Sequence, residues 1–372
     1  MKNASTAMTT VASASTMTTK LRVPVAAAPG PDVSPAGGAA WTEHRFRAMN
    51  TDVSVLLYST TPGLAHYVET VFARSEQRLS RFRADSELSL LNHSEQPERP
   101  VSPELFTVLE AAQWAASATD GLFDPAILAS LEQAGYDRSF ERMDVTGAGS
   151  EIDPGVARFS MSDVKLDRNS RRVRRPHGLR LDLGGIGKGW TVDRCADLLH
   201  REGPFLLNAG GDLYAHGTPG PVEGWRIEIE DALDPTASVA SVMVSNGAVA
   251  TSTVVKRRWQ RDAHTLHHII DPRTGRPATT DLLTVTVLAP RTTIAEVYAK
   301  SVLILGSRSG LDFLARRGVD GLLQAQDGTL YATGALASRL IAPSHGRRVW
   351  TAQPSIYPEI TVRRRHYHAH SQ

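Results

Sequence analysis

The chain has 372 residues, 41% of them hydrophobic, and a formal net charge of +2. That content supports a sizeable core in one large or two modest domains, and the near-neutral balance does not point to nucleic acid as a partner. A single cysteine, Cys195, excludes an internal disulfide.

Residues 1–43 are rich in Ala, Ser, Thr, Pro and Gly. They carry too little apolar surface to offset the entropy of ordering and read as a disordered tail. No apolar run has the length of a signal-peptide core or of a membrane span. Cytoplasmic residence without stable membrane insertion is therefore the expectation. Residues 346–372, with Arg363-Arg364-Arg365 and three histidines, read as a basic, solvated C-terminal tail.

The folded body is expected over 44–345. Val53–Tyr58 reads as a strand, preceded by the loop Met49-Asn50-Thr51. Leu64–Leu79 carries Leu64, Val68, Val71, Phe72, Ser75 and Leu79 along one stripe, which predicts an amphipathic helix. In SRFRADSELSLLN, Asp85 or Ser86 can cap a short helix with Glu87 in its first turn. A further helix is predicted over Pro103–Ala118. It leads into Leu122-Phe123-Asp124-Pro125, where the proline biases Asp124 toward an extended or turn conformation. Short strands are predicted at Phe159–Met161 and Val164–Leu166.

The most distinctive stretch is Leu179–Glu202, LRLDLGGIGKGWTVDRCADLLHRE. Leu179, Leu181 and Leu183 alternate with Arg180 and Asp182, which predicts a half-buried strand. After Gly189 the period changes. Val192, Cys195, Ala196 and Leu199 then share one helix face, where Cys195 reads as a buried, inert thiol. A glycine-rich turn at a helix N-terminus suits an anion, usually a phosphate, and Lys188 adds a full positive charge. Neither the Walker pattern nor the dinucleotide fingerprint fits the spacing Gly185, Gly187, Gly189.

Strands follow at Phe205–Leu207, Leu213–Ala215, Trp225–Glu230, Ala240–Ser245 and Val254–Trp259. HTLHHIIDPRTG reads as a strand entering a turn, with His268 three residues before Asp271-Pro272. Leu282–Ala289 is predicted as a strand and Thr292–Gly306 as a helix. Leu322–Ala325 and Leu330–Thr333 read as a hairpin across Gln326-Asp327-Gly328. Hairpin-linked strands with grouped helices predict an α+β fold rather than a doubly wound parallel sheet.

Six segments stand in one order: MNT, SRFRADSELSLLN, GLFDP, DLGGIGKGWTVD, NAGGDLYAHG and HHIIDPRTGRP with a following AEVYAK helix. Together they resemble the ApbE family of FAD:protein FMN transferases. The resemblance implies largely antiparallel sheets with packed helices and an FAD site between two lobes. It implies FAD and Mg²⁺ as ligands, and transfer of FMN to a Thr or Ser hydroxyl of a target protein with release of AMP.

By the same resemblance, Met49 packs on the flavin, and Phe82 is the aromatic contact to FAD. Leu122, Phe123 and Asp124 hold the adenosine part, and Ile269 lines the site. Asp182 and Lys188 contact FAD, and the Gly185 carbonyl is a metal ligand. His268 and Asp271 are the candidate catalytic residues, with His268, ahead of the turn, placed to take the hydroxyl proton.

One departure stands out. Where the family usually places an Asp and, four residues later, a Thr at the metal, this chain has Glu296 and Lys300. Glutamate can ligate Mg²⁺; lysine cannot. The helix has a reading without metal, too: Thr293 to Glu296 fits a capping box, and Glu296–Lys300 is an i, i+4 pair worth roughly a few tenths of a kcal/mol. Flavin binding or FAD hydrolysis without transfer is therefore the alternative activity.

Overall fold

The computed structural model describes residues 39–143, 146–147, 158–261, 264–341, 349–352 and 359–360. Most of the expected N-terminal tail, and Arg363–Arg365 with the terminal histidines, lie outside these residues.

A ten-stranded sheet organises the chain. Its spatial order is β1 (Ala40–Ala48), β2 (Thr51–Ser59), Phe205–Ala209, Asp212–His216, Asn246–Thr253, Leu282–Ala289, Asp320–Ala325, Leu330–Thr333, Val349–Ala352 and Glu359–Ile360. Neighbours run antiparallel except the pair Leu330–Thr333 and Val349–Ala352, which is parallel. The two central residues of the β1–β2 hairpin, Met49 and Asn50, have φ of 49° and 58°. Two left-handed residues make the turn whose twist matches the strands it joins.

Among the described residues, eight α-helices accompany the sheet: α1 (Leu64–Leu79), α2 (Glu87–Asn92), α3 (Pro103–Ala118), α4 (Leu128–Gln133), α5 (Gly187–Leu199), α6 (Thr292–Leu305), α7 (Ser307–Arg316) and α8 (Gly334–Ala337). Strand alternation divides the sheet between two cores. Phe205, Leu207, Ala248, Ala250, Val285 and Val287 face the helices in the larger one. Leu206, Leu213, Val249 and Leu322 face the other side, where they meet Trp225, Ile227 and Ile229 of a two-stranded sheet. A small third cluster contains Leu131, Ala134, Tyr136, Trp259 and Ile270. The α+β expectation holds. Cys195 is fully buried, and burial pushes its thiol up to about 12.

The structure corrects several details. Among the described residues the first strand begins at Ala40, inside the expected tail. Trp41 anchors this start, with ring centroids 5.3 Å from Tyr58 and 5.8 Å from Trp225. At the other end, two short strands beyond residue 345 extend the sheet. Phe159–Met161 is not a strand; a 3₁₀ turn capped by Ser160 begins at Met161. The strand predicted from Val254 begins only at Arg258, and α7 was not anticipated.

The main correction concerns Leu179–Leu183, which forms no strand. Its three leucines are buried at 0–1% exposure, as the alternation requires, yet no strand pairs with it. Side chains take over the ladder's role. Asn92 Nδ2 donates to the Leu181 carbonyl and its Oδ1 accepts from the Leu181 N–H, both at 2.8 Å. Arg175 donates to the Leu179 carbonyl at 2.8 Å, and the Asp182 N–H donates to the Pro125 carbonyl at 2.8 Å.

Asn92→Ala would strand a buried donor and a buried acceptor, at about 1–3 kcal/mol each. We expect a clearly lowered midpoint in urea unfolding, measured beside an exposed control such as Asn169→Ala. Equal midpoints for the two variants would contradict this role.

Candidate active site

The glycine turn sits where the main core meets the small third cluster. Gly184, Gly185 and Ile186 form the turn, and α5 begins at Gly187, two residues earlier than the periodicity indicates. The backbone is largely spent within the protein. Gly184 N–H donates to Asp182 Oδ1 at 2.5 Å, and Ile186 and Gly187 N–H donate to the Leu183 carbonyl. Gly189 N–H, whose ordinary partner would be the Gly185 carbonyl one turn back, donates instead to Glu296 Oε2 at 2.8 Å. No hydrogen bond to the Gly185 carbonyl is found among the described residues. The outward positive charge thus comes from side chains rather than from a ring of free amides.

Those side chains form one ion cluster. Glu296 is fully buried. Its Oε1 accepts from Lys188 Nζ at 2.8 Å and from Lys300 Nζ at 3.0 Å. Lys188 also donates to Asp212 Oδ2, from the NAGGD segment. Burial would raise the Glu296 carboxyl, but Lys188 and Lys300 together bring it down to about 2. Burial and the Glu296 charge hold Asp212 above the usual carboxylate range, against the pull of Lys188. Lys188 is held protonated by its two carboxylates despite burial.

The capping box predicted at Thr293 is not formed. α6 starts at Thr292, and its first N–H groups are taken by Asp193 of α5. Asp193 Oδ1 accepts from Thr292 N–H at 2.7 Å, and Oδ2 from Thr293 N–H at 2.9 Å and from its hydroxyl at 2.6 Å. Glu296 is thereby free to turn toward α5. The expected Glu296–Lys300 pair is present, but buried rather than on the surface.

The other expected residues surround this cluster. The Met49 methyl lies 3.5 Å, and a Phe123 ring carbon 2.9 Å, from where Cβ atoms on Gly187 and Gly185 would stand. Glycine at 185 is what admits the Phe123 ring, whereas a Cβ on Gly187 would make ordinary contact with Met49. Leu122 and Phe123 are buried. Asp124 is occupied internally: it accepts from Ala126 N–H, Met161 N–H and the Ser160 hydroxyl. Asp182 Oδ2 pairs with Arg81 at 2.5 Å. The Arg81 guanidinium lies 4.1 Å from the Phe82 ring centre and 4.7 Å from that of Tyr136. Phe82 is 38% exposed, leaving an aromatic surface open.

His268 faces Tyr136 edge-on at 6.3 Å, and its Nδ1 is buried with no hydrogen-bond partner among the described residues. Burial first, then Arg257, His267 and Lys300, push its pKa well below the ordinary value, so the ring is neutral. Ile269 beside it is buried, and its carbonyl accepts from Ala278 N–H. Asp271 is not joined to His268. Arg273 holds its carboxylate through the backbone N–H at 2.9 Å and the guanidinium at 2.8–3.3 Å, which fixes the turn.

Sequence reasoning passed over Arg81, Tyr136 and Asp212. Arg81 and Asp212 lie inside motifs that were recognised; Tyr136 carries no local signal. A separate cleft of about 670 Å³, lined among others by Trp114, Trp190, Arg194 and Arg291, includes none of the expected site residues.

The residues present do not make a divalent-cation site. Both Glu296 oxygens are engaged, one by two ammonium groups. Among the described residues no group of three or more His, Cys, Asp or Glu could hold a metal ion. Nor is any helix among them long and apolar enough to cross a membrane.

A paired-lysine cluster, with an exposed aromatic ring and a neutral histidine nearby, is chemically able to take an anionic ligand with a flat ring system. Comparisons with known proteins agree with that class. The model of the ApbE family matches residues 49–323. A Treponema pallidum protein named FAD:protein FMN transferase is 31% identical over 83% of this chain and 92% of its own. The Escherichia coli K12 protein of that name is 26% identical over 73% and 79%. The crystal structure of the ApbE protein from Thermotoga maritima has a TM-score of 0.73 and 26% identity, covering 80% of this chain and 98% of its own. This chain belongs to the ApbE family.

Glu296→Gln leaves two partly buried ammonium groups underpaired, and we expect it to cost about 3 kcal/mol near neutral pH. The folded value of about 2 lies below the reference 4.5, so the ionised carboxylate stabilises the fold fully above that reference. The contribution is lost as pH falls from there toward 2. The gap between wild type and variant in urea should therefore narrow between about pH 5 and pH 3. A constant gap would mean that Glu296 is not ionised in the fold.

Proposed function

We infer that this chain is an FAD:protein FMN transferase. The observation that carries the reading is the pair of ammonium groups, Lys188 and Lys300, gathered over the glycine turn of an ApbE-family chain. The names of its relatives support the transferase over flavin binding or FAD hydrolysis alone.

In this reading the flavin lies toward Met49 and Phe82, and the adenosine toward Leu122 and Phe123. A Thr or Ser oxygen of the acceptor protein bonds to the FMN-side phosphorus. The bond from that phosphorus to the bridging oxygen breaks, and AMP leaves with the bridging oxygen and its electron pair. The hydroxyl proton passes to the His268 ring, which is neutral and so able to accept it. Lys188 and Lys300 offset the charge that builds on the phosphate oxygens. Asp182 positions rather than reacts: it fixes Arg81 and the first glycine of the turn. Asp271 holds the turn after His268. The resemblance implies Mg²⁺, but Glu296 and Gly185 as they stand give it no coordinating set, and no step above uses it. A cytoplasmic acceptor remains the sequence-based expectation.

The test combines the protein, FAD and an acceptor domain bearing a Thr. Intact-mass analysis should show the FMN adduct, with AMP released in equal amount. His268→Ala should slow transfer by about 100-fold or more while FAD affinity changes little. AMP without adduct, or bound FAD with no AMP, would reject transfer.

A further inference from the structure

Lys300 stands where the resemblance places a neutral metal ligand, and its seat is specific. Its Cδ and Cε lie 3.4 Å from where a Cβ on Gly185 would stand, so the aliphatic chain crosses the glycine turn. Its Nζ reaches the Glu296 oxygen that Lys188 also contacts. The carboxylates sit behind: the side chains of Glu296 and Asp212 are 0% and 4% exposed, against 18% and 17% for Lys188 and Lys300. The cations therefore form the solvent face of the cluster.

Donor counting agrees. An ammonium group has three N–H bonds. Among the described residues, the hydrogen bonds found for Lys300 Nζ go to Glu296 alone, and those for Lys188 Nζ to Asp212 and Glu296. Donors remain on both for phosphate oxygens. The formal charges of Lys188, Lys300, Asp212 and Glu296 cancel. A divalent ion bound to Glu296 would have to displace the Lys300 ammonium or sit against it at contact distance.

We propose that Lys300 is a built-in replacement for a divalent metal: its ammonium, with that of Lys188, binds the FAD pyrophosphate, and FAD binding needs no divalent ion. The proposal takes its ligand, FAD, from the transferase reading, but it is tested without transfer. In place of a mobile ion, the pyrophosphate meets two tethered charges held by one buried carboxylate.

The experiment uses the full chain treated with EDTA. FAD affinity is read from quenching of flavin fluorescence, and Mn²⁺ binding from its electron paramagnetic resonance signal. Wild type should bind FAD equally with EDTA or with added Mg²⁺, and should not bind Mn²⁺. Lys300→Met should weaken FAD binding by roughly tenfold and leave riboflavin, which lacks phosphate, unaffected. Lys300→Arg, which keeps the charge, should retain FAD binding in EDTA. Lys300→Thr should gain a Mn²⁺ site, and added Mn²⁺ should restore its FAD affinity. Loss of wild-type FAD binding in EDTA with recovery in Mg²⁺, or stoichiometric Mn²⁺ binding by wild type, would overturn the proposal. Metal-independent FAD binding with no FMN adduct would leave it standing and reject the transferase instead.

Discussion

The buried carboxylate of Glu296 is the constraint on which the site depends. It has no exposure to water, so each oxygen needs a donor within the protein. Three donors converge on it: Lys188 and Gly189 from the first turn of α5, and Lys300 from its own helix. Asp193 of α5 returns the exchange by capping the first turn of α6. Each helix thus places a carboxylate at the positive end of the other. This mutual capping draws the two N-termini together until a Cβ on Gly189 would lie 2.9 Å from the Thr292 carbonyl. The close approach sets Lys188 and Lys300 side by side.

Much of the fold was legible because burial leaves a period in the sequence. α1 and α3 were expected with the bounds they have, as were Trp225–Glu230 and Leu282–Ala289. Each buries one face along an uninterrupted element. Leu179–Leu183 shows where that argument stops. Alternation reports which side chains face the core, not whether the backbone has a partner strand. Here Asn92, 89 residues away in sequence, imitates the partner with one amide side chain. The Thr293–Glu296 spacing fails for a related reason: a capping box is a local solution, and Asp193, 99 residues from Thr292, supplied a stronger one.

The site was legible in its parts but not in its wiring. Motif order picked out Met49, Phe123, Asp182 and Lys188, which the fold brings around one turn, and His268, which packs against Tyr136. It could not show that Asp182 is spent on Arg81, or that Asp271 is held by Arg273 rather than by His268. These pairings depend on where chains cross in space. Tyr136 is the clearest omission. It lies between Phe82, Trp259 and His268, and it joins the aromatic surface to the histidine only through tertiary packing.

Burial also changes what the Glu296–Lys300 spacing means. On an exposed helix such a pair contributes a few tenths of a kcal/mol, and either member can vary independently. Inside the protein each charge is a liability unless the others are present. With Lys300 the cluster is formally neutral; without it, Asp212 and Glu296 outweigh Lys188 by one charge, and the vacant position beside Glu296 favours a cation. One side chain at position 300 therefore decides which kind of positive charge the turn carries. The Gly185 carbonyl, with no N–H donor found among the described residues because Gly189 turns to Glu296, stands ready for either.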